Sequence, residues 1–206
     1  MRIAIICEGK TETAFKPILI EFLKTRLTGK MPKLDFLPND GTIPKGKKLK
    51  RVVHNLLEDR KTPADAVIAL TDVYTGSNPP EYIDAADAKK KLQQWVGEEN
   101  RFHPHVAQHD FEAWLIPYWY EVQKLADSNR ARPSGAPESI NHEHPPSYHI
   151  KECFRTGRKG KAYVKARDAG RILRGKDLLI TIEACPELKS FLNTILGLCD
   201  PTSVIP

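Results

Sequence analysis

The feature that most constrains this chain is the recurrence of short apolar runs that stop at an acidic residue. The run from Arg2 to Cys7 meets Glu8-Gly9, and the run from Ala66 to Leu70 halts at Thr71-Asp72. An apolar run without polar alternation is buried on both faces, which is the condition of a central strand in a parallel sheet. Between the runs the spacing turns helical. Phe15, Ile18, Leu19, Phe22, Leu23 and Leu27 fall on one face, with Thr11 as the expected N-cap. Leu49, Val52, Val53, Leu56 and Leu57 repeat that spacing. Leu34 to Leu37 predicts a short second strand, Asp84 to Val96 a helix, and Phe102 to Gln108 a weaker fourth strand. A further helix opens at Asp110, carries Phe111, Trp114, Leu115, Tyr118 and Val122 inward, and bends at Pro117. Strands alternating with helices predict an α/β fold with a mainly parallel sheet of about four strands flanked by helices.

Residues 128–146 are rich in Pro, Gly, Asn and Ser, lack apolar periodicity and read as a loop. Helical spacing resumes from Tyr163 to Leu173 and through Leu188, Phe191, Leu192, Ile195 and Leu196. The expected organisation is an α/β domain over 1–127, a loop over 128–146, and a basic helical C-terminal extension over 147–206 that packs on the same domain. The charge is local. Between Lys151 and Lys176 ten Lys or Arg face two acids, an excess of +8 against +6 for the whole chain, so the remainder nets −2. Such a cluster is either a solvated face or a seat for a polyanion.

No stretch approaches the roughly 18 apolar residues of a membrane span. The N-terminal run is too short for a signal peptide and passes directly into charged sequence, so the expectation is a cytoplasmic protein without a membrane partner. Cys7, Cys153, Cys185 and Cys199 have no CxxC spacing, which argues for buried free thiols. Walker A, GxGxxG and GxSxG motifs are absent. The His-x-His pair His142 and His144 lies in the Pro-rich segment and reads as solvated.

Acids fall where strands end: Glu8 after the first, Asp72 after the third, Asp110 and Glu112 after the fourth. Ligands of parallel sheets gather outside the carboxyl ends of the strands, so these side chains are expected at one edge. Converging carboxylates repel unless a cation neutralises them, and hard oxygen donors suit Mg2+ or Mn2+ shared with phosphate oxygens. Asp110 and Glu12 also fit plain roles as a helix cap or a first-turn acid. Glu8 and Asp72 fit such roles less well, and Glu112 fits either.

Glu8-Gly9-Lys10-Thr11-Glu12 after an apolar strand resembles the EGxx(D/E) signature of Toprim domains. The chain as a whole resembles a Toprim-like family long described only as a domain of unknown function, through CEGKTE, ALTDVY, HDFEAWL, and Pro146, Tyr148, Tyr163, Lys165 and Cys185-Pro186 in spaced order. The resemblance implies Glu8 as a metal ligand or general acid/base, Asp72 as the first acid of a DxD pair and Glu112 as a further carboxylate, with Mg2+ or Mn2+ as cofactor. Tyr74 stands where the second DxD acid would be. The expected function is a metal-dependent nuclease acting on DNA or RNA, with Arg155, Arg158, Lys159, Lys161, Lys165 and Arg167 meeting phosphates. Relatives in anti-phage defence imply a separate ATPase partner. The alternative is a nucleic-acid- or partner-binding module whose acidic site has decayed.

Overall fold

The first strand is apolar from Ile3 to Cys7, and each of these residues is fully buried, so both of its faces must be covered. A computed structural model describes residues 1–139, 143–158 and 160–206. In it β1 (Arg2–Cys7), β2 (Lys33–Pro38), β3 (Ala66–Asp72) and β4 (Phe102–Ala107) form one sheet in the order β2-β1-β3-β4. Every pairing is parallel. Cys7 lies opposite Leu70 and Asp72 opposite Ala107, so the chain leaves β1, β3 and β4 at one edge. β4, the weakest strand in the sequence, holds Pro104 at a sheet edge, where a missing N–H is tolerated.

Alternate residues of the central strands point to opposite faces. Ala4, Ile6, Val67 and Ala69 pack under α2 (Lys47–Leu57) and α3 (Ala85–Val96), whose Leu49, Val53, Leu57, Leu92 and Val96 close that layer. Ile3, Ile5, Ile68 and Leu70 pack on the other side against Phe15, Leu19 and Leu23 of α1 (Lys10–Arg26). The same core takes in Trp114, then Ile150 and Phe154 of α5 (Pro146–Thr156), Ile172 of α6 (Lys165–Leu173), Ile182 of α7 (Leu179–Ala184), and Phe191, Leu192 and Ile195 of α8 (Pro186–Cys199). Each such side chain contributes roughly 1.5–3 kcal/mol on burial. The C-terminal helices therefore share a core with the sheet.

Several boundaries differ from expectation. The helix after β1 begins at Gly9 rather than at Thr11, which lies inside α1. The segment opened by Asp110 is a 3-10 helix from Phe111 to Tyr118 that passes into α4 (Trp119–Ala126), because Pro117 lacks the N–H that a continuous α-helix needs there. α5 and α7 were invisible as periodic patterns, and α6 starts at Lys165 rather than Tyr163. At the end of α5, Gly157 passes so close to Ala126 that an added Cβ would collide with the Ala126 carbonyl oxygen. The four cysteines are free thiols. Among the described residues no helix is long and apolar enough to cross a membrane.

Candidate functional site

At the carboxyl edge of the sheet lies a cavity of about 570 Å³. Glu8 and Asp72 line it from β1 and β3, and Gly9, Thr11 and Glu12 from the first turn of α1. The loop Pro38 to Gly41 and the segment Val164 to Ala166 complete the wall. A second cavity of about 510 Å³ lies beside Tyr120, Lys124 and Arg158, with Asp127 as its one acid.

Glu8 follows its strand directly, and the neighbouring strand holds it in place. Its Oε1 accepts the Asp72 backbone N–H at 3.0 Å and the Thr71 hydroxyl. Burial pushes its carboxyl from the usual 4.5 up to about 7, against the lowering pull of these two hydrogen bonds and with help from Glu12. Asp72 is 8% exposed, and its Oδ1 accepts the Phe111 N–H at 3.0 Å. Burial raises its pKa well above the carboxylate range, and the charges of Glu8, Asp110 and Glu12 add to this. Glu12 accepts the Gly9 N–H at 3.1 Å, so it does cap α1, yet it also faces the cavity and is raised by burial.

Asp110 occupies the cap position of the 3-10 helix without capping it. Its Oδ2 accepts the Ser147 N–H of α5 at 3.1 Å, while its Oδ1 is buried with no hydrogen-bond partner. Burial and then Glu112 push its pKa up to about 7. Glu112 is fully buried and does not line the cavity. Its Oε1 accepts the Tyr163 hydroxyl at 3.3 Å and its Oε2 the Lys165 ammonium at 3.3 Å. Burial would lower Lys165, but Glu112, Asp72 and Asp110 outweigh it and raise its pKa. Lys165 thus stays charged; its side chain is 45% exposed, lines the cavity and pairs with Glu112.

Of the acids singled out in the sequence, Glu8 and Asp72 reach the cavity, and Glu112 stands behind Lys165. Tyr74 is 38% exposed, and its N–H bonds the His109 carbonyl at 2.6 Å. The basic residues do not form one strip. Lys165 belongs to the acidic site, Arg155 pairs with Glu152 at 2.7 Å and Arg167 with buried Asp168 at 2.8 Å. Arg158 lines the second cavity, Lys161 is exposed, and Lys159 and His142 lie outside the described residues. The pairing of Lys165 with Glu112 and the bond from the Ser147 N–H to Asp110 are not legible from spacing within one segment. The only local signal was the close spacing of two acids in HDFEAWL.

Five carboxyl groups surround one ammonium; burial and mutual repulsion hold Glu8, Glu12, Asp72 and Asp110 above the ordinary carboxylate range, and a divalent cation would take the place of their protons. The donor set fits Mg2+ or Mn2+: hard oxygens, with one buried carboxylate oxygen lacking a partner. Among the described residues no three His, Cys, Asp or Glu side chains form a ready-made metal group. An Mg2+ ion at Glu8 and Asp72 would have to fill its other positions with water and phosphate.

The family model described as "Domain of unknown function (DUF4276)" matches residues 7–196. No curated protein matches the chain. Among solved structures, the C-terminal region of the Burkholderia pseudomallei OLD protein is similar in fold, with a TM-score of 0.53 at 14% identity, over 96% of this chain and 98% of that one.

Proposed function

The chain belongs to the DUF4276 family, and from its acidic cavity we propose that it is a metal-dependent nuclease of Toprim type, hydrolysing phosphodiester bonds of DNA or RNA. The observation that carries this reading is the convergence of Glu8 and Asp72 on one cavity, both held above the ordinary carboxylate range. Groups perturbed in this way cluster at functional sites. The fold likeness to the C-terminal region of the OLD protein supports the same reading.

In this proposal Glu8 and Asp72 hold Mg2+ or Mn2+, and a bound ion would stabilise charge on the scissile phosphate and activate water. Glu8 is held in place by Thr71 and the Asp72 N–H, so its second oxygen is presented without reorganisation. Lys165 carries a fixed positive charge at the wall and offsets part of the repulsion between an anionic substrate and the acids. Glu112 orients Lys165. Arg158, Lys161 and the neighbouring basic residues would extend the contact along a nucleic-acid backbone. A separate ATPase partner is part of the proposal as a regulator.

The test is cleavage of single- and double-stranded DNA and RNA by purified protein with Mn2+ or Mg2+. Activity should stop on chelation and fall about a hundredfold or more in Glu8→Gln, the usual scale for losing a general base. Undiminished cleavage by Glu8→Gln would identify a contaminant. Inactivity of the wild type on every substrate, alone and with an added ATPase partner, would leave the second reading: a decayed binding module, favoured by Tyr74 in place of an acid and by an ammonium already seated among the carboxylates.

A further inference from the structure

Three cations of α2 stand where helix electrostatics disfavours them. The first turn of α2 holds no acid, and Lys47, Lys48 and Arg51 are exposed on its outer face, opposite buried Leu49 and Val53. The positive end of the helix dipole there meets positive side chains, which costs stability. Arg51 lies one turn beyond both lysines, so like charges also repel along the helix. α3 shows the ordinary arrangement, with Asp84 as its cap and Asp87 in its first turn. Lys45 is paired with Glu81, and Lys50 shares a small cavity with Glu98 and Glu99. Lys47, Lys48 and Arg51 have no acidic partner among the described residues, so the fold itself does not relieve the conflict. A local rule broken without compensation inside the fold points to a functional surface.

The place of this patch indicates its partner. β2 ends at Pro38 opposite Cys7, at the edge where Glu8 follows its strand. The loop beyond it walls the acidic cavity from Pro38 to Gly41, and the Gly41 N–H bonds the Glu8 carbonyl at 3.1 Å. α2 opens a few residues later, so its first turn lies at that edge, in the layer opposite α6, whose N-terminal turn forms the other wall. We propose that Lys47, Lys48 and Arg51 seat the phosphate backbone of a nucleic acid that crosses the carboxyl edge of the sheet beside the cavity. A polyanion supplies the negative charge that α2 lacks, through side-chain contacts to phosphates. The inference rests on the reading of the chain as a nucleic-acid enzyme, and it adds a contact surface across the cavity from the C-terminal basic residues.

The experiment measures binding of short labelled single- and double-stranded DNA and RNA by fluorescence anisotropy, over a salt series and in chelator so that no cleavage intervenes. Lys47→Gln, Lys48→Gln and Arg51→Gln together should lower the slope of log K against log salt by about two to three, at roughly 0.7–0.9 per lost phosphate contact. Arg60→Gln with Lys61→Gln, two exposed cations beyond the other end of α2, should leave the slope unchanged. In urea at low salt, without nucleic acid, the triple variant should unfold at a higher midpoint than wild type, and the gain should shrink at high salt. An unchanged slope in the triple variant overturns the proposal. So does an equal loss per charge at Arg60 and Lys61, which would mean net charge rather than a place. A triple variant less stable than wild type at low salt also overturns it, because the cations would then serve the fold. Binding to phosphatidylserine vesicles in place of nucleic acid does the same. A wild type that binds in chelator with the full slope, loses it in the triple variant and yet never cleaves in Mn2+ would refute the nuclease reading and support this surface.

Discussion

Removing one charge from the cavity should stabilise the protein, and Glu8→Gln makes this quantitative. Raising a carboxyl from 4.5 to about 7 corresponds to roughly 3 kcal/mol at 1.36 kcal/mol per pH unit. Because the folded value is the higher one, that stability is fully present below pH 4.5 and is lost as pH rises through 7. The glutamine oxygen can still accept from the Thr71 hydroxyl and the Asp72 N–H, so the substitution removes the charge and keeps the contacts. Glu12 and Asp72 share the same field and take up part of the relief. The expected gain in metal-free protein is about 1–3 kcal/mol at pH 8 and under about 1 kcal/mol at pH 5. Urea unfolding in chelator at the two pH values measures it. Saturating Mn2+ should close or reverse the gap at pH 8, since a ligand at a hundred times its Kd adds about 2.7 kcal/mol to the form that binds it. A pH-independent difference, or a variant less stable than wild type at pH 8 without metal, would refute the picture of a strained carboxylate.

Lys165→Met leaves the fully buried Glu112 with Tyr163 alone and should cost about 1–3 kcal/mol, the usual penalty for an unpaired buried group. The double variant with Glu112→Gln should recover most of this in a thermodynamic cycle, and strict additivity would deny the pairing. Gly157→Ala should destabilise by about 1–3 kcal/mol through its collision with the Ala126 carbonyl, read from thermal unfolding. Alanine at Arg155, Arg158, Lys161 and Arg167 together should lower the slope of log K against log salt for nucleic-acid binding by about two to four, at about one per lost phosphate contact. An unchanged slope would return these residues to a solvated face.

The parts of this molecule that were legible in its sequence are those governed by local patterns. β1 and β3 announced themselves because burial on both faces removes every polar residue from the run. Glu8 and Asp72 stood out as the first polar side chains after such runs. Strand order was not legible, because the apolar runs carry no record of which neighbour each will pair with. α5 leaves no clear periodic pattern because its inward face rests on few residues, Ile150, Cys153 and Phe154 among them, behind a Pro-rich segment. Asp110 fits a cap as well as a strand-end acid on local spacing, because its actual donor, Ser147, is 37 residues away. Lys165 reads as one of a basic cluster because its acidic partner is 53 residues distant. Pairings between remote segments decide both cases, and a spacing argument within one segment does not reach them.

The wall formed by Val164, Lys165 and Ala166 also sets an order of events during synthesis. A ribosome-bound chain that has emerged only as far as α4 holds Glu8, Asp72, Asp110 and Glu112 but lacks the ammonium that Glu112 bonds and the helix that seats Asp110. Its carboxylates are then better separated and hydrated than gathered. The cavity closes only when α6 docks beside α1, so any chemistry performed there begins after most of the polypeptide has been made.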